Sequence, residues 1–319
     1  MSSQLVAGNT KQSITVATTK AREYVARSVS NSTKTAYRRD WLAFQRWCEQ
    51  HGFDALPATP ETLALYLAAE ADRLTVATLQ RRLATISQAH KAAGYDSPTG
   101  KPEPRAVLAG IKREKGTAQH GKAPLRIADL RVMVQQLPET VLGIRDRALL
   151  LVGFAGGLRR SELVGLDVPD LVFTTEGVTA RLRRSKTDQE GEGRRVGLPL
   201  GRCNDTCPSV ALRAWLAAAG IDEGPVFRAV SRGGRVGHQR LTGQSVGLVV
   251  KRAAEKAGLD PVALGGHSLR AGLATSAAAN GATERAIAKQ TGHRSMAVLR
   301  AYIREGSLYL DNAAAAAGL

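Results

Sequence analysis

The sequence predicts a mainly α-helical protein in two parts, the second of which carries a small antiparallel sheet. Three observations lead there. Apolar residues recur at helical spacing through most of the chain, as at Tyr37, Trp41, Phe44 and Cys48. Residues 171–200 change to a two-residue period, with Val178, Ala180 and Leu182 alternating with polar neighbours. Between the two parts runs EKGTAQHGKAP, Glu114–Pro124, which has two glycines, one proline and no apolar period.

Residues 1 to about 20 read as a flexible polar tail. From Ser32 the aromatic stripe ending in Cys48 marks a first helix, stopped by Gly52. Thr59-Pro60 opens a second, with Leu63, Tyr66 and Leu67 inward. Thr75 caps a third, with Val76, Leu79, Leu83 and Ile86 inward and Arg81, Arg82 and Lys91 outward. A fourth spans about Glu103 to Lys115. A basic helix face is ordinarily just solvated, but Lys34, Arg38, Arg39, Arg81 and Arg82 are also placed to reach phosphates.

The second part starts near Leu125 with two helices, IADLRVMVQQLP and the very apolar TVLGIRDRALLLVGFAGG, which must be buried. Gly156-Gly157 breaks that helix, and Ser161-Glu162-Leu163 begins another. RRSKTDQEGEGRRVGLP reads as strand, polar turn and strand, with Lys186 at the start of the turn. Ser209 to Ala219 is a short helix with Trp215 inward, SRGGRVGHQR (231–240) a loop, and Ser245 to Gly258 a helix on a Val246, Val249, Val250 and Ala253 face. Three short helices follow. The first runs from His267 to about Asn280; Thr283 caps the second, which Gly292 ends, and Ser295 caps the third. IREGSLYLDNAAAAAGL closes as an Ala-rich helix, too short to be stable alone, so it needs a docking surface.

Composition narrows the function classes. At 319 residues, 43% hydrophobic, the chain can build two cores, and no run approaches a membrane span. The N-terminal residues carry no apolar signal core, which predicts a cytoplasmic protein. Lys plus Arg number 45 against 28 for Asp plus Glu, a formal charge of +17. That excess points to a polyanion, most simply nucleic acid. Aromatics at 4% argue against a single-strand stacking platform. Cys48 falls on an apolar face; Cys203 and Cys207 lie in GRCNDTCP, and two local ligands are too few for zinc. Free thiols and no bound metal are expected.

Six side chains carry candidate chemistry: Arg159, Lys186, His267, Arg270, His293 and Tyr302. Each alone is bland. H-x-x-R is a common pattern, Arg159, Arg160 and Glu162 by themselves read as a surface salt-bridge cluster, and a hairpin-tip lysine is usually solvated. Together they form a chemical set. Two arginines can clamp the nonbridging oxygens of a phosphodiester and stabilise its pentavalent transition state. Tyrosine can attack phosphorus and leave a covalent phosphotyrosine, with histidine removing its proton. Lysine can protonate a departing 5′ oxygen. No carboxylate cluster is present to hold Mg²⁺, so arginine charge would stand in its place.

The ordered set GLRRSEL, SKT, HSLR, GH and Tyr302, with His293 and Tyr302 nine positions apart, resembles the tyrosine recombinases, also called lambda-integrase-type recombinases or the phage integrase family. TKTAYRRDWLAFQRWC, RSKT and AYIRE resemble its Cre-like members. The resemblance covers essentially the whole chain. It implies an N-terminal four-helix core-binding, SAM-like domain at 21–115 after the tail 1–20, a linker at 116–124, and a mixed α+β catalytic domain at 125–319. Residues 307–319 would be a C-terminal helix docking on a neighbouring protomer, with Tyr309 packed in that tail.

The implied activity is site-specific recombination for integration, excision or resolution. Duplex DNA is cut and rejoined through a 3′-phosphotyrosyl intermediate and a Holliday junction. Arg159 and Arg270 would bind the scissile phosphate, Glu162 would support them, Lys186 would be the general acid and His267 the acid/base histidine. His293 would hydrogen-bond the phosphate, and Tyr302 would be the nucleophile. Arg183 and Arg184 join the DNA-contacting set, and Arg194 and Arg195 crowd the same hairpin; Arg160, at a usually apolar position, takes no role. The implied partners are double-stranded DNA with inverted-repeat sites and three further copies of the chain, a homo-tetramer on DNA and a monomer when free. No cofactor and no membrane is implied, and the setting is bacterial, phage-borne or plasmid-borne. Two rival readings share the fold or the chemistry: a DNA-binding regulator that no longer cuts, and a type IB topoisomerase.

Overall fold

Residues 18–24, 29–117, 121–183, 193–293, 295–306 and 317 are described by a computed structural model of the chain. The chain divides into two units, Met1–His120 and Gly121–Leu319. Among the described residues no helix is long and apolar enough to cross a membrane.

In the first unit, the four longer α-helices among the described residues form where helix-starting residues and apolar stripes coincide. Helix α1 (Asn31–His51) starts where Ser30 accepts from the Thr33 N–H, and stops at Gly52, whose φ is 71°. Helices α2 (Pro60–Glu70) and α3 (Val76–Ala92) are capped by Thr59 and Thr75, and α4 (Pro102–Lys115) opens on a proline. Phe44, Leu63, Tyr66, Leu67, Leu79 and Ile86 are wholly buried. Each aliphatic one contributes about 1.5–3 kcal/mol relative to exposure. Phe44 and Trp47 set their rings edge-on to Tyr66 at 4.9 and 5.3 Å. Residues 18–24, partly within the expected tail, are helical and exposed.

The expected outward placement of Arg82 needs correction, whereas Arg81 keeps 38% of its side chain exposed. Asp40 is 3% exposed, and Arg81 grips its carboxylate through two bonds of 2.7 and 3.1 Å. Arg82, with 14% of its side chain exposed, donates to Glu70 at 2.9 Å and to the Tyr66 hydroxyl. Carboxylates drawn into an apolar core must be paired, and these two arginines pair them.

In the second unit, helix α5 (Ile127–Gln135) leads to α6 (Val141–Ala155), buried on nearly every side through Ala148, Leu149, Leu150, Leu151 and Val152. After α7 (Arg160–Val164), strands β1 (Leu171–Phe173), β2 (Gly177–Leu182) and β3 (Arg194–Pro199) form an antiparallel sheet in that order. Val178 faces Leu198, Ala180 faces Val196, and Leu182 faces Arg194. The two-residue period therefore places Arg194 on the face that Val196 and Leu198 bury. Helix α8 (Pro208–Ala219) buries Trp215, whose indole donates to the Val226 carbonyl at 2.8 Å.

Residues 231–240, expected as a loop, form the turn and second strand of a hairpin, β4 (Arg228–Val230) with β5 (Val236–Arg240). Neither strand buries a residue fully, so no apolar alternation announced it. Residues 121–124, expected within a linker, lie along the second unit. The Ala123 N–H bonds the Ala263 carbonyl at 2.9 Å, and next to it the Leu125 N–H bonds the Ser268 carbonyl at 3.0 Å. Helix α9 (Gly243–Lys256) then delivers the chain to α10 (Ser268–Ala279), α11 (Glu284–Thr291) and α12 (Met296–Gly306).

Candidate active site

The break after α6 shapes the first part of the site. Gly157 takes φ 56°, a left-handed turn that suits glycine, and Arg159 becomes the residue that opens α7. Glu162, three positions on and with a wholly buried side chain, folds back over it. One carboxylate oxygen accepts the Arg159 backbone N–H at 2.9 Å, and the other accepts its guanidinium at 2.6 Å. Arg159 thus enters the site with its backbone and its side chain fixed by one anion.

Helix α10 supplies the second part. His267 is its N-cap residue, not a member of its first turn as expected, and Arg270 follows one turn later. Arg270 is 1% exposed; its Nη1 donates to the Gly157 carbonyl at 2.8 Å and to the Thr291 carbonyl. Its Nη2 is buried without a hydrogen-bond partner among the described residues. A buried guanidinium nitrogen left this way is suited to an incoming anion. Burial and the neighbouring Arg159 lower the Arg270 pKa to about 10, far enough above neutrality to keep it charged.

The C-terminal end of α11 forms the floor. Its last carbonyls lack helical partners and carry the negative end of the helix dipole. The Gln290 carbonyl accepts from Arg194 at 2.9 Å, that of Thr291 from Arg194 at 3.2 Å and from Arg270, and that of Gly292 from Arg159 at 3.3 Å. Gly292 ends the helix at φ 66°, and a Cβ there would fall 2.8 Å from the Arg194 guanidinium.

Helix α12 brings the nucleophile candidate. Leu299 packs with Ala274, Ala278 and Ile287, and Tyr302 lies along this cluster with Ile303. The Tyr302 hydroxyl lies 2.9 Å from His267 Nε2, and the His293 ring centroid 6.2 Å from that of Tyr302. His293 Nδ1 stands 2.7 Å from the Thr291 hydroxyl. Burial, then the charges of Arg270, Arg160 and Arg159, hold the His267 pKa below its usual 6.5. Burial, then Arg270 and Arg159, push that of His293 down to about 4. Both rings are therefore neutral at pH 7, and His267 can accept the tyrosine proton.

Arg159, Glu162, His267, Arg270, His293 and Tyr302, far apart in sequence, thus converge on one place. Lys186 and Arg184 lie outside the described residues, as does 307–319 apart from 317. Arg183 pairs with Asp170 at 2.7 Å and Asp167 at 3.4 Å. Lys34, Arg38 and Arg39 are exposed on α1. Two contributors escaped the sequence reading. Thr291 looked like an ordinary helix residue, whereas Arg194 could have been found from the strand period that turns it inward. Among the described residues no group of three or more His, Cys, Asp or Glu gathers as for a metal ion.

Residues 125–307 match the Phage integrase family, and 23–94 match the Phage integrase, N-terminal SAM-like domain. The chain is 40% identical over 298 residues to an integrase/recombinase xerD homolog of Selenomonas ruminantium, covering 92% of this chain and 87% of that one. It is 30% identical to a tyrosine recombinase XerD of Xanthomonas axonopodis pv. citri (strain 306), covering 88% and 89%. The solved structure of a lambda integrase tetramer bound to a Holliday junction shares the fold at a TM-score of 0.60 and 16% identity, over 91% of this chain and 77% of that one. With the family match spanning more than half the chain and 40% identity running over nearly all of it, this chain belongs to the phage integrase family of tyrosine recombinases and is a site-specific recombinase.

Proposed function

We propose that Arg159, Lys186, His267, Arg270, His293 and Tyr302 carry out the strand cutting and rejoining, on duplex DNA bearing inverted-repeat sites. The observation that carries this reading is the 2.9 Å contact between Tyr302 and His267 Nε2, together with the Arg270 Nη2 that is buried without a partner among the described residues. Tyr302 Oη attacks the scissile phosphorus as His267 Nε2 takes its proton. The P–O5′ bond breaks, Lys186 protonates the departing 5′ oxygen, and the DNA 3′ phosphate remains esterified to Tyr302. Arg159 and Arg270 hold the nonbridging oxygens as the charge on them grows.

His293 hydrogen-bonds the phosphate if Nε2 carries a proton. The Thr291 hydroxyl is 2.7 Å from both the Ile287 carbonyl and His293 Nδ1. Its single proton goes to the Ile287 carbonyl, which can only accept, so Nδ1–H donates to the Thr291 oxygen, and Nε2 donates to the phosphate once the ring is protonated, which an incoming anion favours. In the reverse reaction a 5′ hydroxyl attacks the phosphotyrosine, so rejoining needs no nucleotide cofactor. Reversal onto a partner strand gives a Holliday junction, which four protomers on two sites would resolve. Exposed Lys34, Arg38 and Arg39 would add phosphate contacts. Residues 307–319 would dock on a neighbouring protomer, and a cytoplasmic place of action on bacterial, phage or plasmid DNA belongs to the same reading.

A duplex nicked close to the cleavage position tests this. Its short fragment is lost once cut, so the covalent complex accumulates. The unsubstituted protein should form that complex on inverted-repeat sites, and Tyr302→Phe should bind the same DNA without forming it. A non-cutting regulator forms no complex on any site, and a topoisomerase relaxes supercoiled DNA that lacks the repeats; either result would overturn the reading.

A further inference from the structure

Arg194 is a third guanidinium in the site, and its geometry differs from that of Arg270. It leaves β3 opposite Leu182, where the segment between β2 and β3 that contains Lys186 in the sequence ends. From there it reaches across to α11. Nη1 donates to the Gln290 carbonyl at 2.9 Å, and Nη2 to the Thr291 carbonyl at 3.2 Å and the Glu162 carboxylate at 3.5 Å. Nε is buried without a partner among the described residues, against the bare face of Gly292. Both terminal nitrogens therefore point into the protein. Arg159 likewise gives one bond from each terminal nitrogen to Glu162 and Gly292, but Arg194 Nη2 serves two acceptors, whereas Arg270 Nη2 has none among the described residues.

We infer that Arg194 is a positioning residue, which clamps β3 to the end of α11 and so fixes Arg159, Arg270 and His293 through the groups they share with it. It shares the Glu162 carboxylate with Arg159 and the Thr291 carbonyl with Arg270. Thr291 in turn holds His293 through its hydroxyl, and Gly292, the next residue, holds Arg159 through its carbonyl. One side chain thus touches the supports of three groups that would face the phosphate. It also fastens one strand of the Lys186 hairpin to the site. Lysine cannot replace it, because one ammonium cannot span two carbonyls and a carboxylate in a fixed plane.

This inference rests on the strand-cutting reading, and the test separates the two. The full chain and its Arg194→Met, Arg194→Lys and Gly292→Ala variants are assayed on the nicked inverted-repeat duplex for equilibrium binding and for single-turnover covalent complex formation. Tyr302→Phe serves as the uncut control. The expected result is binding within about threefold of the unsubstituted protein but cleavage slowed roughly 10- to 100-fold in Arg194→Met, with Arg194→Lys intermediate; this is the scale of losing oriented active-site groups. Glu162→Gln combined with Arg194→Met should be no slower than the slower single variant, because both disturb one assembly.

Cleavage within threefold of the unsubstituted rate in folded Arg194→Met, or multiplicative losses in the double variant, would overturn the inference. So would parallel losses of binding and cleavage, which would make Arg194 a DNA contact. If Arg194→Met does not fold, Gly292→Ala still displaces the guanidinium without removing its charge, and unchanged cleavage in that variant overturns the inference as well. Absence of a covalent complex with the unsubstituted protein would instead overturn the strand-cutting reading itself.

Discussion

Replacing Glu162 with glutamine removes a negative charge from between Arg159 and Arg194 while keeping the side-chain shape. The carboxylate accepts three bonds: the Arg159 guanidinium at 2.6 Å, the Arg159 backbone N–H at 2.9 Å and Arg194 at 3.5 Å. Glutamine has one oxygen for these three donors and presents an NH₂ to one of them. Breaking a buried charge pair from one side costs about 3–5 kcal/mol. For a unit of this size each kcal/mol moves the melting temperature by about 2–4 °C, so Glu162→Gln should lower it by roughly 6–20 °C. Calorimetry of the free protein measures this, and single-turnover cleavage at a temperature where the variant stays folded should slow at least tenfold. A variant melting within 2 °C of the unsubstituted protein and cutting at its rate would refute the view that this carboxylate organises the arginines.

Thr291→Val keeps the shape but removes the hydroxyl beside His293 Nδ1, and cleavage should fall about tenfold with little change in melting temperature; an unchanged rate would free His293 from that hydrogen bond. Both site histidines are harder to protonate in the folded protein than in the unfolded chain. As pH falls below 6.5 the unfolded chain takes up protons that the folded site refuses, so stability is full above 6.5 and declines until the folded pKa, about 4 for His293, is passed. That shift would be worth about 3 kcal/mol at a fully buried ring, and solvent screening at this half-buried one reduces it to about 1–2 kcal/mol, readable by urea unfolding at pH 7.5 and 5. The acid limb of cleavage should likewise lie below pH 6.5, since a protonated His267 cannot take the tyrosine proton; a limb above pH 7 would count against the base role.

The helices were legible because local signals agreed with tertiary packing. Thr59, Thr75 and Thr283 cap where their side chains allow, and Phe44, Leu79 and Val250 fall on the faces that the core covers. The hairpin at 228–240 was not legible, because its strands bury no complete face. Nor was the pairing of Arg81 and Arg82 with buried carboxylates. Helical spacing marks which residues share a face, but not that Asp40 and Glu70 would be buried close enough to claim them. In the site, motif spacing named the groups that would meet the phosphate. The inward turn of Arg194 was readable from the strand period, but its backbone acceptors, like those around Thr291, leave no mark on side-chain spacing.

In the proposed reaction Tyr302 is the residue joined to DNA. Protease digestion and mass spectrometry of the covalent complex formed on the nicked duplex identify that residue. The expected product is a 3′-phosphodeoxynucleotide ester on the peptide that contains Tyr302. An ester on another residue, such as Tyr309, or bound duplex with no ester at all, would contradict it.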